Sequence, residues 1–87
     1  KPFERRLYEV CRKRCGRPSM QIIKLDNLRE RIGIKLSSSA FKNRIQKLKK
    51  VLEYRLRVEN DNVFIFRDTE SGRRQLALFE IERLRKG

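Results

Sequence analysis

Eighty-seven residues suffice for one small domain, and a chain of that size buries only about 60 to 65% of the surface its unfolded form exposes, which argues against a large, deep active site. The 24 Lys and Arg against 11 Asp and Glu leave a formal charge of +13, a field that favours polyanionic partners. No stretch approaches the ~20 consecutive apolar residues a bilayer span needs, and the first residues lack the apolar run of a signal peptide. Membrane association is not expected, and the cytoplasm is the expected location. The chain starts at Lys1 and not at Met, so residues 1–87 are read as one domain of a longer protein.

The two cysteines, Cys11 and Cys15, stand four apart, and the sequence has no His. A structural zinc takes four N or S ligands, so no metal is expected. At that spacing both thiols leave one helical face, where Cys acts as a small buried apolar residue. A reducing compartment fits.

Phe3, Leu7, Cys11 and Cys15 repeat at a helical period, predicting a first helix through Arg14. Gly16, Arg17, Pro18 and Ser19 end it, because Gly tolerates a left-handed exit and Pro has no amide to donate. A short extended run, Met20 to Ile23, follows. Leu25, Leu28, Arg29 and Ile32 predict a second helix of about two turns that stops at Gly33. Three serines then offer hydroxyls to open a third helix near Ser38 or Ser39.

Phe41, Ile45, Leu48 and Leu52 place one apolar stripe on that third helix. At 100° per residue the opposite face centres on Asn43, Lys47 and Lys50, with Ser39 and Gln46 nearby and Lys42, Arg44 and Lys49 on its flanks. The face is polar and strongly basic.

After Tyr54 the period becomes two, with Leu56 and Val58 alternating with Arg55, Arg57 and Glu59. The Asn60-Asp61-Asn62 turn and the Val63 to Phe66 run complete a predicted β-hairpin. Leu56 and Val58 should pack inward, turning Arg55 and Arg57 outward. Val63 and Ile65 alternate with Phe64 and Phe66, so one pair faces the core and the other covers a partner. Ser71 to Arg74 reads as an exposed loop without a partner, with phosphate binding by Arg73 and Arg74 as the alternative, and Gln75 to Lys86 fits a helix better than a strand.

Helix, short strand, helix, turn, helix, hairpin is the element order of a winged helix-turn-helix, an α+β class in which the third helix enters the DNA major groove and the hairpin forms a wing. The residue types agree with that use. Asn and Gln pair bidentately with adenine, Lys with guanine, and Ser or Lys with phosphate. The expected contacts to double-stranded DNA are Ser39, Lys42, Asn43, Gln46, Lys47, Lys50, Arg55 and Arg57. A Lys-rich face that is merely solvated is the competing account; the charge excess and the helix-turn-helix punctuation outweigh it. Arg5, Arg6, Arg12, Lys13, Arg14 and Arg17 form a second basic cluster, suited either to flanking phosphates or to a neighbouring acidic domain. Enzymatic activity is not expected. A nicking endonuclease of the rolling-circle type needs a metal-binding His pair, and no phosphate-binding G-x-x-x-x-G-K-[ST] loop occurs. No cofactor is therefore expected. A transcriptional repressor or a protein-pairing winged helix stays open.

Phe3 to Arg17, F-E-R-R-L-Y-E-V-C-R-K-R-C-G-R, and Leu25 to Gly33, L-D-N-L-R-E-R-I-G, resemble the winged-helix domains of bacterial plasmid replication initiator proteins, the replication initiator protein A group. The resemblance implies binding to origin repeats, with Lys42, Asn43, Gln46, Lys47 and Lys50 as the reading positions. It also implies a nucleoid or plasmid setting, and pairing with a second copy or with a neighbouring winged-helix domain.

Overall fold

In the computed structural model, residues 2–16 and 18–86 are described; Lys1, Arg17 and Gly87 and the side chains of Pro2 and Lys86 lie outside the described residues. The chain is α+β. Its elements are α1 (Pro2–Arg14), β1 (Met20–Lys24), α2 (Leu25–Ile32), α3 (Ser38–Leu48), β2 (Lys50–Val51), β3 (Tyr54–Glu59), β4 (Asn62–Arg67) and α4 (Glu70–Lys86). The strands form one antiparallel sheet in the order β1-β4-β3-β2.

The core lies between α1, α2 and α3 on one side and one face of the sheet on the other. Leu7, Cys11, Leu28, Phe41, Ile45, Val63 and Ile65 are wholly buried there, and Leu56 nearly so. Each side chain of this size contributes about 1.5–3 kcal/mol on leaving water. Phe3 meets Phe41 edge-on with ring centroids 6.1 Å apart, which joins the start of α1 to α3. Both thiols are buried apolar residues, as their spacing predicts. Cys15 donates weakly from Sγ to the Ile65 carbonyl at 3.7 Å, and burial pushes the Cys11 thiol up to about 12.

α2 ends where expected: Gly33 adopts φ 74 and its amide donates to the Arg29 carbonyl at 3.1 Å. α3 opens on Ser37, whose hydroxyl accepts from the Ala40 amide at 3.2 Å. The expected fourth residue of the α3 stripe is displaced. The helix stops at Leu48 because Lys49 turns left-handed at φ 64 and Lys50 pairs with Arg55 in a strand that the stripe did not announce. Val51 fills the core and Leu52 is thrown out to 69% exposure at φ 52.

α4 begins five residues before its expected start at Gln75 and absorbs the segment read as a loop, Ser71 to Arg74. It lies on the other face of the sheet. The Phe79 ring sits 4.6 Å from that of Phe64 and 5.6 Å from that of Phe66. Val63 and Ile65 thus face the core, and Phe64 and Phe66 meet the last helix. Gly72 permits this docking, since a Cβ there would run into the Arg67 carbonyl. The hairpin tip does not extend past the sheet: β1 pairs with β4 as far as Lys24 opposite Asn62, and the Asp61 carbonyl accepts from the Leu25 amide at 2.7 Å.

Candidate nucleic-acid interface

α3 is held by α2 through a few polar contacts. The Ser38 hydroxyl donates to Asp26 Oδ1 at 2.8 Å, Asp26 pairs with Arg29 at 3.5 Å, and Arg29 Nη1 donates to the Leu36 carbonyl at 2.9 Å. One carboxylate near the start of α2 therefore fixes the first turn of α3, while an arginine farther along α2 pins the connecting turn. Asp26 looks like an ordinary surface charge in the sequence, and Arg29, although it falls in the α2 stripe, gives no sign there of the carbonyl it meets.

With Phe41 and Ile45 buried beneath it, α3 turns Ser39, Asn43, Gln46 and Lys47 to solvent, with Lys42 half-buried beside them. Among the described residues none of these five side chains makes a hydrogen bond or ion pair, and α3 contains no Asp or Glu. Arg44, expected on the flank, is engaged: its guanidinium lies over the Phe3 ring at 4.3 Å. The face is thus a set of unused donors and acceptors on a helix packed against the core.

Lys50 is not on that face. As a residue of β2 it stands opposite Arg55, in a cluster that spacing alone did not reveal. Asp68 lies 3.6 Å from Arg55 and 2.9 Å from Arg73. The Arg73 hydrogen bond, with the charges of Arg73, Arg55 and Lys50, holds the Asp68 carboxyl below its usual range. Three cations around one carboxylate leave an excess of positive charge.

Arg57 has a different environment from Arg55, although period two puts both on one sheet face. Its Nε donates to Glu80 Oε2 at 2.8 Å, and Nη1 donates to the Leu56 carbonyl at 2.8 Å. Both arginines leave the sheet on the face opposite the buried Leu56 and Val58, as expected, but α4 covers that face at Arg57 and supplies Glu80. The hairpin tip carries Glu59 and Asp61 beside its asparagines, so it repels phosphate. In the α1 cluster, Arg6 donates to the Ile32 carbonyl at 3.0 Å and Arg14 to the Ile22 carbonyl at 3.1 Å, whereas Arg5 pairs with Glu9 at 3.9 Å. Arg12 and Lys13 stay exposed.

The model of the family described as replication initiator protein A matches residues 1–56. The chain belongs to the replication initiator protein A family. The match spans α1 through α3 and runs into β3, so the polar face of α3 and the Asp26 clamp both fall inside it. β4 and α4 lie beyond the matched span. No curated protein and no solved structure matches the chain. Membership connects it to the initiation of DNA replication, and no helix among the described residues is long and apolar enough to cross a membrane.

Proposed function

We propose that this chain is a sequence-specific double-stranded DNA-binding domain of winged helix-turn-helix type, acting at a replication origin in the bacterial cytoplasm. The observation that carries the reading is the solvent face of α3, where Ser39, Asn43, Gln46 and Lys47 have no protein partner and no acidic neighbour on the helix. A helix of that kind enters the major groove, with Asn43 and Gln46 at base edges and Ser39, Lys42 and Lys47 at phosphates. The α2–α3 contacts already orient the first turn of α3, which lowers the ordering needed on binding.

Lys50 and Arg55, with Arg73 joining them, supply phosphate contacts beyond the C-terminal end of α3. Arg57, neutralised by Glu80, is left out of the proposed interface, and so is the acidic hairpin tip. Such contacts position the domain and carry little sequence information. The domain acts by binding, with no catalytic step of its own.

The test is selection of bound sequences from random duplex DNA, followed by titration of the selected duplex at several salt concentrations. A recurrent motif and a steep fall of affinity with salt are expected. Absence of any enriched motif would leave a charged platform without base reading.

A further inference from the structure

α4 is apolar on two sides. Its inner side, Leu76 and Phe79, packs on the sheet, and Leu76 is 8% exposed. Its outer side carries Ala77, Leu78, Ile81 and Leu84, of which the last three are 58%, 50% and 80% exposed. At 100° per residue Ala77, Ile81 and Leu84 form one strip with Leu78 at its edge. A helix already docked by one face has no need of a second apolar face for its own packing, and such a patch marks an interaction site.

The charges around the strip choose the occupant. Arg74 and Arg85 lie in line with Ile81, one toward each end of the strip, about three turns apart. Arg74 pairs with Glu70 at 3.6 Å, but both groups are largely in water, so that pair is weak and exchangeable. Against a second copy, one antiparallel alignment, Leu78 on Ile81, sets Arg74 on Arg85 twice by symmetry. Two chains of charge +13 add to that repulsion. DNA offers nothing to an aliphatic strip. Beside Leu78, a cleft of about 400 Å³ between α4 and the sheet carries Glu59, Glu82 and Arg83 together, so the cleft has no one-signed charge, and the arginines that end the strip are what select an acidic partner.

We infer that the outer face of α4 docks an amphipathic helical segment of a partner protein, its apolar stripe bracketed by carboxylates that meet Arg74 and Arg85. Apolar residues repeating at i, i+3, i+4 and i+7 on the partner match the strip in the helix-on-helix mode. The face lies outside the span shared with the family model, and it is distinct from the proposed DNA-reading face of α3, so both partners can be held together.

The experiment uses the whole chain and a labelled synthetic helical peptide with leucines at those spacings and Glu at its flanks. Two control peptides carry the same composition in scrambled order, or Lys in place of each Glu. The ordered Glu peptide is expected to bind about ten-fold more tightly than either control. Ile81→Ser with Leu84→Ser, which changes no charge, should lower its affinity about ten-fold. Arg74→Gln with Arg85→Gln should lower it several-fold, with the difference fading at high salt. Both double variants alter exposed side chains, so circular dichroism should match that of the parent chain, and Ile81→Ser with Leu84→Ser should also keep its affinity for duplex DNA. Equal binding of ordered and scrambled peptides, or no binding of either, overturns the inference. A dimer seen by sedimentation without peptide and lost in Ile81→Ser with Leu84→Ser overturns it in favour of a second copy. Co-sedimentation with phosphatidylglycerol vesicles, lost in the same variant while the peptide fails to bind, overturns it in favour of a lipid surface.

Discussion

Arg57 Nε and Glu80 Oε2 are 2.8 Å apart, and this pair joins the outer face of β3 to α4. The Arg57 side chain is 21% exposed and that of Glu80 49%, so the contact is partly shielded and worth about 0.5–1 kcal/mol. Arg57→Ala should lower stability by about that amount in thermal unfolding and leave duplex DNA affinity within about two-fold. Arg55→Ala, two residues away, should instead weaken binding and reduce the salt slope by about 1, since it removes a phosphate contact. Equal effects on DNA from the two substitutions would place both arginines at the interface.

On α3, Asn43→Ala or Gln46→Ala should cost about 1–3 kcal/mol on the selected site and relax preference at one base position. Lys47→Ala should weaken all sequences alike. Competition titrations with specific and random duplexes separate the two behaviours. Uniform losses for all three substitutions would remove base reading from this face.

Asp68→Asn leaves Lys50, Arg55 and Arg73 without their shared carboxylate, and DNA affinity should rise with a steeper salt slope. The same group gives a pH effect. Its folded carboxyl titrates below the ordinary value of 3.8, so its contribution to stability is present above that pH and is lost as pH falls through the folded value. The parent chain should therefore lose more stability than Asp68→Asn when acidified below about pH 4, measured by denaturant midpoints at each pH.

Cys11 should resist iodoacetamide at pH 8 in the folded chain and react only on unfolding, because the thiolate is the nucleophile and burial pushes its thiol up to about 12. A raised thiol favours folding below its unfolded value, 9.0, and that contribution is lost as pH rises from there toward the folded value. The slope is about 1.4 kcal/mol per pH unit for one group. Cys11→Ala should flatten the alkaline fall in stability, and its persistence unchanged would assign it to other groups.

Gly72→Ala drives a methyl group into the Arg67 carbonyl, which α4 can relieve only by moving its first turn away from β4. A loss of about 1–3 kcal/mol is expected, with faster amide exchange in α4 than in α3. Unchanged exchange in α4 would show that the first turn is not anchored at Gly72.

Elements whose side chains follow a single period are legible in the residue spacing. Phe3, Leu7, Cys11 and Cys15 mark α1, Gly33 ends α2, and the alternation of Leu56 and Val58 marks β3, because local spacing alone decides which residues share a face. It also brought Asn43, Gln46 and Lys47 to one side of α3 for the same reason. The tertiary structure decided where that helix stops. The stripe through Leu52 is helical by count, yet burying Val51 and pairing Lys50 with Arg55 outweigh one more turn. It also separated Arg55 from Arg57, which are alike in sequence, because Asp68 reaches one and Glu80 on a distant helix reaches the other. Periodicity reports which face a side chain leaves, and it carries no information about what the rest of the chain brings to that face.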